Sequence, residues 1–180
     1  ISGVSLSKTA TENNDMFSNE DLNKIKKQNY VESATPVITA TGYLKNNDDS
    51  KALVCGIDEN AKSVISVDTI KGEKIKYSDI VSKSMVCQID RETSEKIFGN
   101  KNPLGKKVDI FLCGETNTFT IVGLVKESSS ILQSSVGEML PNIIYVPFTT
   151  LQKIMGNYKI NQIAVNFSGD FSNEVCIEKI

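Results

Sequence analysis

The chain has 180 residues, 39% of them hydrophobic, and a net charge of −2 from 20 basic and 22 acidic side chains. That length and apolar content suffice for one domain with a buried core, or for two small subdomains sharing a chain. The charges are spread along the sequence and Arg91 is the single arginine, so the clustered cations that replace counterions on nucleic-acid phosphates are missing, and no nucleic-acid partner is expected.

Residues 1–16 are polar without a sustained period and read as a linker or a ragged first strand. Ser18 is a helix N-cap, with Asp21 at the third helical position as a variant capping box. Phe17 and Leu22 stand where a hydrophobic staple would join. The helix is expected to run to about Gln28, with Leu22 and Ile25 inward and Lys24, Lys26 and Lys27 largely in water. Val31–Leu44 alternates and is rich in β-branched residues, with breaks expected at Pro36 and Gly42. A turn at 46–49 and a strand at Lys51–Ile57 complete a hairpin. Residues 61–80 read as short strands around a turn at Lys71-Gly72-Glu73.

A strand at 84–89 follows, then a helix at 92–98 capped by Asp90 and closed by Gly99 in the left-handed position. Lys107–Leu112 and 118–125 pair as a hairpin across 113–117. Within the second strand Gly123 marks a close approach or bulge. A long polar connection spans 126–142. The strand 143–146 ends at Pro147, Thr149 or Thr150 caps a helix that stops at Gly156, and 160–167 is the last strand. The class is α+β, with short helices on mixed or antiparallel sheets.

The longest apolar runs are far shorter than the roughly 20 residues that span a bilayer, and residues 1–8 lack the pattern of a signal peptide. Four cysteines, at 55, 87, 113 and 176, form no C-x-x-C pair and have no histidine beside them, so no metal site is expected. Each lies in an apolar stretch and reads as a small buried hydrophobe, with a disulfide open in an oxidising compartment.

Each enzymatic constellation fails on a physical requirement. GNKNPLGKK at 99–107 has five residues between its glycines, Lys107 where a magnesium-binding hydroxyl is needed, and Pro103 in place of a backbone donor. Ser5 and Lys8 match S-x-x-K without its companion motifs. With no histidine, neither serine nor cysteine has its usual base. The carboxylates Asp48, Asp49, Asp58, Glu59, Glu115 and Asp170 sit at expected turns and read as solvated. No cofactor is expected.

Six pieces in order carry a resemblance: FSNEDL at 17–22, YVESATP at 30–36, VCGI at 54–57, IFGNKNPLGK at 97–106, FTIVGLV at 119–125 and IYVP at 144–147. Over about 17–168 the chain resembles the MacB-type periplasmic core domain of ABC-transporter permeases, in the superfamily that includes the LolC/LolE and FtsX-related proteins. The resemblance implies a porter-like βαβ subdomain at 1–58 plus 140–180, interrupted by an inserted β-rich subdomain at 59–139. It implies a non-catalytic domain between two membrane helices, extracellular or periplasmic. Hydrolysis of ATP would lie in a separate cytoplasmic ATPase subunit or domain. Implied partners are a second permease protomer and an accessory protein of the membrane-fusion type. The residues themselves point to the 126–142 connection, which exceeds the usual length of a structureless loop and carries apolar side chains among serines. Ser129, Ile131, Leu132, Val136 and Met139 are the candidate partner-binding residues, although the same apolar residues would equally suit a small helix packed on the core. An alternative function is binding of an exported peptide or lipid, which needs a persistent apolar cleft.

Overall fold

A computed structural model describes residues 4–7 (backbone only), 16–45, 50–126 and 142–168. In chain order they form β1 (Val4–Ser7), α1 (Asn19–Lys26), β2 (Val31–Leu44), β3 (Lys51–Ile57), α2 (Ala61–Ile65), β4 (Thr69–Gly72), α3 (Tyr77–Ser82) and β5 (Val86–Asp90). Then follow α4 (Arg91–Phe98), β6 (Lys107–Leu112), β7 (Glu115–Val125), β8 (Asn142–Pro147), α5 (Phe148–Met155) and β9 (Gln162–Phe167). The class is α+β, with one mixed nine-stranded sheet carrying short helices.

The start of α1 follows from its cap. Ser18 Oγ accepts from Asp21 N at 3.1 Å and Asp21 Oδ2 accepts from Ser18 N at 2.9 Å, so two N-terminal donors are satisfied reciprocally. Phe17 and Leu22, flanking the cap, are both buried. The strand after it is not broken where expected. β2 runs unbroken through Pro36 and Gly42. Pro36 lies where β2 pairs with β9 and pairing to β3 has yet to begin, so its missing N–H interrupts no second ladder. Gly42 lies where β2 meets β6: a Cβ there would stand 2.7 Å from the Phe111 carbonyl oxygen.

That meeting closes the sheet on itself. β2 pairs with β3, β3 with β8, β8 with β5, β5 with β7, β7 with β6, and β6 again with β2 through Tyr43↔Phe111 and Leu44↔Ile110. Register and strand alternation put Leu44, Val54, Ile144, Ile89, Ile121 and Ile110 on one face around this circuit, and all are buried. α5 packs on that face at Gly56, where a Cβ would be 3.0 Å from Phe148 Cα. β1, β9 and the first half of β2 extend beyond the circuit, and α2 is tied to them by Asn166 Nδ2 donating to Ser63 O at 2.6 Å.

Several expected elements differ. Residues 61–80 hold two helices besides β4. Both end in left-handed residues that are not glycine, Ser66 and Lys83, so the usual stop signal is absent from the sequence. Gly99 closes α4 with φ 58° but ψ −132°, outside the left-handed helical region. The β6–β7 hairpin turns on two residues, Cys113 and Gly114, both at positive φ, and β7 begins at Glu115. Pro147 occupies the cap position of α5; the hydroxyls of Thr149 and Thr150 donate to Ile80 O and Ser84 O instead, fastening α5 to the end of α3. Ile160 is not part of β9 but bridges Phe17. Gly123 is a close approach as expected, since a Cβ would sit 2.3 Å from the Glu73 carbonyl oxygen. The turn at 46–49 lies outside the described residues.

Strand directions give the molecule two ends. Val4 pairs with Val165 and Val31 with Phe167, so the described starts of β1 and β2 and the end of β9 share one end. Leu44, Lys51 and Asn142 lie at the other, separated by the length of the 14-residue β2, about 40 Å at strand rise.

Candidate functional site

The five candidate partner-binding residues, Ser129, Ile131, Leu132, Val136 and Met139, lie outside the described residues. Their flanks are well defined. Lys126 follows β7, where Val125 pairs with Asp90, and Asp90 Oδ2 accepts from Ile143 N at 3.4 Å. Both flanks of the connection therefore sit together at the end opposite Val4 and Phe167. Asn142 anchors the return: its Nδ2 donates to Lys51 O at 2.8 Å and Ser50 Oγ at 3.1 Å. Its Oδ1 is buried and has no hydrogen-bond partner among the described residues. Asp90 also caps α4, accepting from Thr93 N at 2.6 Å and from Thr93 Oγ1 at 3.0 Å.

Asp58 is not the solvated turn residue expected from the sequence. It is 2% exposed and accepts from Lys26 Nζ at 2.5 Å, Thr35 Oγ1 at 2.6 Å and Asn60 N at 3.0 Å. Lys26, expected in water, thereby ties α1 to the end of β3. Three donors around one carboxylate occupy most of its acceptor sites, so the group fastens elements together and leaves little capacity for a substrate. Glu115 is exposed beside the hairpin turn as expected, whereas Asp48, Asp49 and Asp170 lie outside the described residues.

Cys55 and Cys87 are buried and free, as small hydrophobes; Cys113 is also free but exposed, because it occupies the tight turn instead of a strand. Burial pushes the Cys55 thiol up to about 12 and raises Cys87 further, so neither is a thiolate near neutrality. Cys176 lies outside the described residues. Among the described residues no group of three or more His, Cys, Asp or Glu side chains is placed to hold a metal. The segment 99–107 forms the connection from α4 to β6. Lys106 N donates to Pro103 O, Gly105 N donates to Ile121 O, and Lys106 Nζ lies 5.0 Å from the Phe98 ring centroid, so the lysine folds back over the last residue of α4.

Sequence reasoning overlooked the exposed apolar side chains. Tyr43 and Phe111 form an exposed cross-strand pair, with Lys45 Nζ 5.3 Å from the Phe111 ring. Tyr77, Val81 and Tyr158 protrude elsewhere. The alternation Thr41, Tyr43, Lys45 gave a signal for the first group. Tyr77 and Val81 rest on a helix that the sequence did not advertise.

The MacB-like periplasmic core domain family model matches residues 2–177. The chain belongs to that family. Among its relatives, the macrolide export ATP-binding/permease protein MacB of Aggregatibacter actinomycetemcomitans is 32% identical over 158 residues, 86% of this chain and 23% of that protein. The MacB protein of Neisseria meningitidis is 28% identical over 158 residues, with 87% and 23% covered. The chain thus spans about a quarter of the length of these curated relatives. The periplasmic region of MacB from Actinobacillus actinomycetemcomitans superposes with a TM-score of 0.75 at 25% identity, covering 97% of this chain and 78% of that one. The extracellular domain of the ABC-type transporter YknZ from Gram-positive bacteria gives 0.71 at 22% identity, covering 92% and 83%, a likeness of fold. Within this MacB-like core domain, no helix among the described residues is long and apolar enough to cross a membrane.

Proposed function

We propose that this domain is the extracytoplasmic part of an ABC-transporter permease, periplasmic or extracellular according to the host envelope. It catalyses no step itself and passes motion driven by a cytoplasmic ATPase to partners outside the membrane. The observation that carries the reading is the polarity of the fold: Val4 and Phe167 share one end, and the flanks of the 127–141 connection, Lys126 and Asn142, lie at the other. A chain whose ends continue into membrane helices would hold those flanks about 40 Å from the bilayer, within reach of a second protomer or a membrane-fusion-type protein. The names of the relatives, ATP-binding/permease proteins, agree with such a setting. We also take the chain as a porter-like part, 1–58 with 140–180, and an inserted β-rich part, 59–139. In support, β1, β9, β2, β3 and β8 are successive neighbours in the sheet, followed by β5, β7 and β4.

Two measurements test this. The complete protein should carry an apolar segment of about 20 residues on each side of this domain. Deleting 129–137 in the complete permease should leave the thermal transition of the domain in place and abolish assembly with the second protomer or the accessory protein; an unchanged complex refutes the role of Ser129, Ile131, Leu132, Val136 and Met139.

A further inference from the structure

Of the seven large apolar side chains exposed among the described residues, four lie between Ile70 and Met85 and a fifth is Tyr158. α3 buries Ile80 but turns Tyr77 and Val81, one helical turn apart, outward at 67% and 64% exposure. Tyr158, 57% exposed, stands on the segment after α5, and Lys83 Nζ at the end of α3 lies 5.6 Å from its ring centroid. This surface is fastened from beneath. Thr149 Oγ1 donates to Ile80 O at 2.6 Å, Thr150 Oγ1 donates to Ser84 O at 3.0 Å, and the buried Gln152 donates through Nε2 to Tyr158 O at 3.0 Å. A single exposed apolar residue needs no explanation, but a group of them on fastened elements marks an interaction site.

The charge of this surface is opposite to that of the chain. Residues 69–85 and 153–159 carry six lysines against two acids, and both acids are engaged by one lysine. Glu73 Oε2 accepts from Lys76 Nζ at 2.7 Å, and Asp79 Oδ2 accepts from Lys76 N at 2.9 Å. Lys71, Lys74, Lys83, Lys153 and Lys159 have no carboxylate partner among the described residues. Lys153 stands one turn after Thr149, on the side of α5 that reaches α3. Two copies of this face would meet with like charges, which opposes a two-fold self-contact. A phosphate polymer would meet the lysines but leave Tyr77 and Val81 without an apolar partner. An acidic protein segment bearing aliphatic side chains answers both: its carboxylates meet the ammonium groups at the rim, and its apolar groups cover the tyrosine rings and Val81. The position agrees. Gln88 pairs with Tyr145, Tyr145 with Cys55 and Cys55 with Thr39, so β5 starts level with about Val37, midway along β2. The end of α3 is thus on the flank of the molecule, where a neighbouring protein can lie alongside.

We infer that the face formed by α3 and Tyr158 docks an acidic segment of a neighbouring protein, with Tyr77, Val81 and Tyr158 at the centre of the contact and Lys74, Lys83 and Lys153 at its rim. Such docking requires neither a nearby membrane nor the 127–141 connection, so it stands or falls apart from the proposed transport role. The test titrates the isotope-labelled 180-residue chain with three probes: a peptide repeating Glu-Glu-Leu, polyglutamate of the same length, and the Lys-Lys-Leu counterpart. Amide shifts should gather at 74–85 and 153–159 with the Glu-Glu-Leu peptide, and its affinity should exceed that of polyglutamate at least about tenfold. The lysine peptide should cause no shifts. The double variant Tyr77→Ser, Val81→Ser should bind the Glu-Glu-Leu peptide at least about tenfold more weakly. Its thermal transition should hold, because both side chains are exposed. Lys74→Gln and Lys153→Gln should each weaken binding about twofold to fivefold. Equal affinity for polyglutamate, or an unchanged affinity in the double variant, overturns the inference, since the apolar centre would then play no part. Shifts that are absent or lie elsewhere overturn it as well. So does binding to phosphatidylglycerol vesicles without binding to the peptide, which would make the face a lipid site, and so do shifts of these residues that grow with chain concentration alone, which would make it a self-contact.

Discussion

Asp58 has three donors on its carboxylate, and the three come from different parts of the chain: Lys26 on α1, Thr35 on β2 and the backbone of Asn60. Removing the carboxylate leaves these donors facing a gap, so Asp58→Ala should lower stability by about 3 kcal/mol. The Lys26 side chain is 30% exposed, and water screens its half of the pair; Lys26→Met should cost only about 1 kcal/mol. Urea denaturation of both variants and of the double variant measures the coupling. The buried thiols make a separate pH expectation. The Cys55 pKa is raised from 9.0 to about 12 in the folded state, so the unfolded state releases the proton first as pH rises. Stability from this group is complete below pH 9 and is lost between 9 and about 12, at about 1.4 kcal/mol per pH unit. Cys87 acts in the same direction. Thermal scans from pH 7 to 10 should show a steeper loss for the native chain than for the variant Cys55→Ala, Cys87→Ala, even though the variant starts from a lower stability.

At the level of elements, the close crossings explain which parts of the fold were legible. α1 was readable because its cap and staple are local, and β3 and β6 because alternation or an apolar run fills a whole strand. Pro36 and Gly42 read as breaks because their effect on a strand depends on neighbours that local sequence does not name: Pro36 has β9 on one side only, and Gly42 admits β6. α2 and α3 escaped notice because they are short and end on Ser66 and Lys83. The buried site at Asp58 escaped because Thr35 and Lys26 are distant in sequence. Gly42→Ala tests the β2–β6 crossing directly. A methyl group 2.7 Å from Phe111 O forces the strands apart, with Leu112 Cδ1 only 3.3 Å away, and should cost about 1–3 kcal/mol with faster amide exchange at 43–45 and 109–111. The hairpin at Cys113-Gly114 runs the other way. Two positive φ values, 54° and 89°, define a primed two-residue turn in which asparagine is the favoured first residue. Cys113→Asn should therefore raise stability by about 0.5–1 kcal/mol in urea melts.

For the whole molecule, the closed circuit decides whether β5, β6 and β7 unfold apart from the rest. β5 and β6 each join the first group of strands through two residue pairs, Gln88↔Tyr145 with Ile89↔Ile144, and Tyr43↔Phe111 with Leu44↔Ile110. These seams are short in hydrogen bonds but not in apolar burial. Ile89, Ile144, Leu44 and Ile110 are each fully or almost fully buried, and opening either seam exposes side chains on both edges. Opening one also leaves β8 or β2 with an unpaired edge in the middle of the molecule. The circuit should therefore unfold as one cooperative unit. The chain carries its own reporters for this. Cys55 lies on β3 and Cys87 on β5, on opposite sides of the β5–β8 seam, and both are buried. With Cys113 and Cys176 replaced by serine, single-cysteine variants at 55 and 87 should become reactive to a thiol reagent at the same denaturant midpoint. Earlier exposure of Cys87 would mean that β5 and its neighbours open first, and the proposed passage of displacement across the seam would fail.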